Sequence, residues 1–288
     1  MITNKSNQTL IVILAETRAH ELTFDLFEEN FQKVLNADLA LCVGNNKNTN
    51  KHHNKFYENS KFIWEIEEPD TAENLYDEVS KKNNYGEEWK NILRESEGIA
   101  FSKLFTTDNP AVSFLYYFRW LLLQNIISHN LLQTYQWFVV TRSDFMWKIP
   151  HPKCEYLNPE HIYVPDGQHY RGINDRHIII SNKYIEKSLG ILDYILNHPR
   201  EMLDAGNNIE MLLKHYFKQA GIYNRIYMYP YTMYTVRTKD GPGVWKRGTY
   251  DESLGYCIKY KEEYESYLKY STLIKCQEDW EGYLENKE

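Results

Sequence analysis

Cysteine is scarce and scattered in these 288 residues: Cys42, Cys154, Cys257 and Cys276 show no Cys-x-x-Cys spacing. A chain of this length needs no disulfide staples, so a disulfide scaffold is excluded and a reduced, cytoplasmic setting is expected. Positive charge is not in excess either. Lys and Arg number 33 against 40 Asp and Glu, a net charge of -7, which gives no global attraction to nucleic acid or anionic lipid. No basic segment followed by an apolar core opens the chain, and the richest apolar stretch, Ala111 to Ile127, is interrupted by Arg119; neither a leader nor a membrane span is expected. Gly-x-Gly-x-x-Gly, Gly-x-x-x-x-Gly-Lys-Ser/Thr and Gly-x-Ser-x-Gly are all missing. Dinucleotide, P-loop and serine-hydrolase chemistry therefore lack their local signatures.

What is present reads as α/β. Thr9 to Leu14 is a short β-branched run suited to a strand buried on both faces, Glu21 to Leu35 follows helical spacing, and Asp38 to Val43 is a second strand. Lys61 to Ile66 reads as a third strand after an Asn-, Lys- and His-rich loop from Gly44 to Ser60. Within that loop His52 and His53 point apart as sequence neighbours and lack a third partner, so a metal site is not expected there. Asn74 to Glu97 is charged and helical in pieces. Asn109-Pro110 starts a long helix running to about Leu132, with Pro in the first turn. Trp137 to Val140 is an apolar strand running straight into Thr141-Arg142-Ser143-Asp144. Later strands are expected at His161 to Val164, His177 to Ser181 and Ile222 to Val236, and helices at Lys183 to Leu196 and Ile209 to Gln219. No internal repeat is visible. A single domain over residues 1–262 is expected, with residues 263–288 as a helical C-terminal appendage packed on it.

In open α/β sheets ligands sit outside the carboxyl ends of the strands. Three polar groups fall at such ends: Thr17 and Arg18, Arg142 and Asp144, and Gly172-Ile173-Asn174-Asp175-Arg176. A strand-end carboxylate at Asp144 suits a hard cation shared with phosphate oxygens, although turns and helix caps also favour aspartate. Arg142 lies two residues earlier, on the same face of an extended chain; cation and anion together suit a metal diphosphate, and a plain surface ion pair is the alternative. Gly172 permits close backbone approach, while Asn174 and Asp175 offer acceptors for vicinal hydroxyls; an ordinary turn is the alternative. Glu210 either complements a helix N-terminus or reaches the cleft as a base. Arg119, a charge within an apolar helix, either snorkels or contacts phosphate.

Together these segments resemble a GT-A-type glycosyltransferase, and more narrowly the viral, bacterial and plant families with Arg-x-Asp in place of Asp-x-Asp. The resemblance spans about Leu10 to Val236 and implies a Rossmann-type mixed sheet flanked by helices. It implies a transferase moving a sugar from a UDP- or GDP-sugar to a hydroxyl of a glycan acceptor, metal-assisted and inverting. By position, Asp144 would coordinate Mn²⁺ or Mg²⁺, with Arg142 beside the diphosphate and Thr17 and Arg18 along the nucleotide. Arg119, Gly172 and Asn174 would complete the donor contacts, and Asp175 and Glu210 would compete as general base. Ser143-Asp144 supplies one acid where many relatives have two, so the ion would lean on phosphate oxygens and water. Two other readings compete. One is a non-catalytic carbohydrate- or partner-binding module using Tyr223 to Tyr234 as a stacking platform; the other is a nucleotidyltransferase.

Overall fold

A computed structural model describes residues 8–45, 51–96, 99–107, 112–240 and 248–285. Its centre is a seven-stranded sheet built from β1 (Thr9–Ala15), β2 (Asp38–Asn45), β3 (Phe62–Glu67), β4 (Trp137–Thr141), β6 (Ile162–Pro165), β7 (Ile178–Ser181) and β8 (Ile226–Tyr229). The order is β3-β2-β1-β4-β7-β6-β8. Only β7 is reversed: β4 and β6 pair with it antiparallel, while the other neighbours run parallel. A second sheet of four short strands follows the order β10-β11-β9-β5, from Thr249–Asp251, Tyr256–Ile258, Tyr234–Arg237 and Phe145–Met146.

The β-branched run of β1 is buried on both faces, as its composition requires. Leu10, Val12 and Leu14 enter one apolar cluster, Ile11 and Ile13 the other. Helix α1 (His20–Phe27) continues through a π-helical turn, Glu28–Gln32, to Lys33–Leu35, and lays Phe24, Phe27 and Phe31 on the second face. The opposite face is covered by α2 (Val112–Ser128) and α3 (Ile209–Gln219). Each large side chain so buried contributes roughly 1.5–3 kcal/mol. Among the described residues no helix is long and apolar enough to cross a membrane. The chain is thus a mixed α/β fold with a helix-flanked sheet.

Two C-terminal helices, α4 (Lys261–Ser271) and α5 (Gln277–Glu285), close over the second face. Trp280 is fully buried and its indole donates to the Pro150 carbonyl at 2.7 Å.

Several expected boundaries shift for identifiable reasons. The start of the long helix at Asn109-Pro110 and the break at Gly241-Pro242-Gly243 lie outside the described residues. That helix ends at Ser128, and Asn130 takes a left-handed conformation before a further short turn. The stretch from Lys183 to Leu196 is two helices parted at Gly190. Ile222 to Val236 is not one strand. Pro230, which has no N–H for a ladder, separates β8 in the large sheet from β9 in the small one. The tyrosines there are mostly core: Tyr229, Tyr231 and Tyr234 are buried, while Tyr223 is exposed. A continuous ring platform over Tyr223 to Tyr234 does not form.

Candidate active site

β1, β2 and β3 are laid down to one side and β4 returns to the other side of β1, so the topological switch point falls between the carboxyl ends of β1 and β4. Two loops leave the sheet there, and Ser143 binds them together. Its hydroxyl donates to the carbonyls of Glu16 at 3.1 Å and Arg18 at 3.0 Å, and its own carbonyl accepts from the Thr23 hydroxyl at 2.7 Å. Thr17 is tied to the Asn54 amide at 2.9 Å, and Arg18 pairs with Glu16.

Asp144 lies beneath this junction at 1% exposure. Arg142 binds it with two parallel bonds, Nε to Oδ1 at 2.9 Å and Nη2 to Oδ2 at 2.8 Å. Arg237, at the end of β9, donates to the same Oδ2, and the Val236 amide reaches the Asp144 carbonyl at 2.9 Å. Burial opposes the charge on Asp144, yet Arg142, Arg237 and Arg18 outweigh it and hold the carboxyl well below the usual range. Lys259, directly after β11, completes the cluster. Burial and the nearby Arg142, Arg237 and Arg18 bring its ammonium down to about 7. Sequence reasoning missed both Arg237 and Lys259. For Arg237 the signal was available, because an arginine ends the apolar run Tyr234-Thr235-Val236 much as Arg142 follows Val139-Val140-Thr141.

The donor set here does not fit a divalent metal. Both Asp144 oxygens are engaged by guanidinium groups. A unit positive charge about 4 Å from another is repelled by about 4 kcal/mol at an effective dielectric of about 20, and three arginines surround Asp144.

The second cluster forms where the chain enters β7. Gly172 passes against the first turn of α3 so closely that an added Cβ would lie 1.9 Å from the Glu210 carbonyl, and the Ile173 amide donates to that carbonyl at 3.0 Å. The close approach Gly172 permits is therefore to the chain itself. Asn174 is fully buried and spent on shaping the loop: its amide donates to Gly167 at 2.9 Å and its oxygen accepts from the Arg176 amide at 2.9 Å. Arg119 is buried beneath the loop, with Nη2 donating to the Asp175 carbonyl at 2.8 Å. It supports Asp175 from below instead of opening to solvent. Nε and Nη1 of Arg119 have no partner, and burial lowers its pKa. Glu210, at 8% exposure, is pushed up to about 8 by burial and by the Asp175 carboxylate.

The two clusters face the same edge of the sheet. Val140 pairs with Ile178 in the antiparallel β4–β7 ladder, so Arg142 and Arg176 each lie two residues beyond one rung. Tyr260 lies within electrostatic reach of Arg176, Arg142 and Asp144, and the Arg176 guanidinium lies 4.8 Å from its ring centre. Arg176 is held by Glu263 of α4 at 2.6 Å, and Glu263 also accepts from Tyr231 at 3.0 Å and the Thr235 amide at 2.7 Å. The C-terminal helix thus supports the same edge. Backbone strain gathers there as well. Ala15, Ala19, Gln168, Tyr170 and Arg171 have left-handed φ, which costs roughly 1–3 kcal/mol each and accompanies functional loops. A cavity of about 560 Å³ borders the outer side of the second cluster, lined by Arg171, Arg200, Gly206 and Met211, and one of about 200 Å³ lies away from both clusters beside Tyr156, Tyr163 and Tyr227.

A family model described as a domain of unknown function (DUF7796) matches residues 117–244, which include Arg119, Arg142, Asp144, Asp175, Glu210 and Arg237. No curated protein matches the chain.

Proposed function

We propose that this protein is a glycosyltransferase of GT-A-like architecture, which transfers a sugar from a nucleoside-diphosphate donor to a hydroxyl of a glycan acceptor. The observation that carries this reading is a cation cluster and an acid pair sharing one sheet edge at the switch point. Arg18, Arg142, Arg237 and Lys259 supply positive charge around Asp144, and Asp175 and Glu210 influence each other next to Arg176, across the β4–β7 ladder from Arg142.

Breaking the bond from the anomeric carbon to the diphosphate leaves negative charge on the departing group. Fixed guanidinium and ammonium groups stabilise that charge without reorganising, and losing one such donor costs about 10²–10³ in rate. Asp175 accepts the proton of the attacking hydroxyl as the anomeric centre inverts. Glu210 holds its own proton at neutral pH, so it donates a hydrogen bond there and does not act as the base. Arg119 fixes the Asp175 backbone from below.

The direct test measures thermal midpoints with a panel of nucleoside diphosphates and their sugars, followed by release of the diphosphate from the sugar that stabilises most. A selective rise in midpoint, lost in Arg142→Ala, supports the donor site. Stabilisation by glycans alone would favour the non-catalytic module, and pyrophosphate release from a nucleoside triphosphate and a sugar phosphate would favour a nucleotidyltransferase.

A further inference from the structure

We propose that the phosphate charge at this site is neutralised by the protein's own cations and not by a divalent metal. Lys259, Arg142 and Arg237 bind the diphosphate, and Asp144 is the hub that holds the guanidinium groups. The inference deepens the donor reading and rests on it only for what the diphosphate is attached to.

Lys259 is the critical observation. It is a basic side chain at 8% exposure, fixed through its own amide to the Thr235 carbonyl at 2.9 Å. Its ammonium has no acid partner among the described residues and lies over the ring of Tyr260, 5.0 Å from the centroid. The charges around it are Arg142, Arg237 and Arg18 with Asp144, and both oxygens of that one acid are already engaged. A desolvated cation among cations is costly unless an anion joins it.

The three basic side chains converge from separate parts of the fold. Arg142 follows β4, Arg237 ends β9 and Lys259 follows β11. Arg142 retains 25% side-chain exposure, so the cluster opens to solvent on that side. Guanidinium forks suit paired phosphate oxygens and the ammonium acts as a point charge. In that arrangement Asp144 does not ligate a metal; it keeps two arginines aimed while their remaining N–H groups stay available to phosphate.

The test is calorimetric titration of the full chain with inorganic pyrophosphate, in EDTA and then with Mn²⁺. Binding in EDTA within about threefold of that in Mn²⁺ is expected, and Lys259→Met is expected to weaken it about tenfold or more while Lys259→Arg retains most of it. Because the replaced group is a buried cation without an acid partner, Lys259→Met keeps or raises the thermal midpoint, which separates lost binding from lost folding. Binding that needs Mn²⁺, or an unchanged affinity in Lys259→Met, overturns the inference. Nucleotide sugars titrated alongside separate it from the donor reading. Pyrophosphate bound in EDTA with no preference for any nucleotide sugar retains the cation site and removes the donor assignment; nucleotide-sugar binding that appears only with Mn²⁺ does the reverse.

Discussion

Asp144 and Glu210 carry the same functional group at the same edge of one sheet, and their surroundings drive them in opposite directions. Both are largely buried, and burial alone raises a carboxyl pKa. At Asp144 three arginines overcome that penalty, and the group stays charged far below neutral pH. At Glu210 the nearest strong influence is another carboxylate, Asp175, so burial and repulsion add and the group keeps its proton up to about pH 8. The neighbours decide that one acid serves as an anionic hub and the other as a hydrogen-bond donor. Phosphate finds positive charge beside the first, and a hydroxyl finds a base and a donor beside the second.

The sharpest way to break this contrast is to remove the charge of Asp175 alone. Asp175→Asn is expected to lower sugar transfer by about 10²–10⁴-fold with nucleoside-diphosphate affinity nearly unchanged, measured by turnover and calorimetry on the same sample. Equal loss of both would merge the two clusters into one binding site. Next in size is Asp144→Asn, which leaves the nearly buried Arg237 without its partner and is expected to cost about 3–5 kcal/mol in urea unfolding. Arg142→Ala, at a partly exposed pair, is expected to cost under about 1 kcal/mol of stability.

Gly172→Ala tests how the acid pair is assembled. A methyl group cannot fit 1.9 Å from the Glu210 backbone, so the loop must move from α3, at a cost of about 1–3 kcal/mol or more and with a fall in the pKa of Glu210 as Asp175 recedes. The remaining test is one of pH. Glu210 has a folded pKa near 8 against about 4.3 when unfolded, so the folded state binds more protons and the protein loses stability as pH rises between those values. Glu210→Gln removes that loss. Its thermal midpoint is expected to match the parent near pH 4 and to exceed it increasingly toward pH 8; a difference independent of pH would contradict the protonated assignment.

Much of the first half of this arrangement was legible in the sequence, because its signals are local. A β-branched run buried on both faces gives β1, an apolar run ending in Arg142-Ser143-Asp144 gives β4 and its loop, and the stretch Ile209 to Gln219 gives α3, where the Asn208 side chain caps the Met211 amide at 2.8 Å. The rest depends on pairing between distant segments. Arg237 reaches Asp144 because β9 pairs with β5, Thr235 opposite Phe145, and a single expected strand from Ile222 to Val236 concealed that Pro230 sends its two halves to different sheets. Lys259 follows a strand of three residues, too short for periodicity to reveal. Residues 263–288 carry few apolar side chains in their first turn, so the buried Glu263 that holds Arg176 was invisible in a segment read as an appendage. Arg119 illustrates a further limit: helical spacing marks a charged residue on an apolar helix but not whether it snorkels outward or, as here, supports a loop from inside.

A crystal structure with a bound nucleoside diphosphate tests the donor site most directly. The diphosphate is expected among Arg142, Arg237 and Lys259 at the carboxyl ends of β1 and β4, with its open end toward Asp175. Density instead in the cavity beside Arg171 and Arg200, with the Asp144 cluster empty, would contradict it.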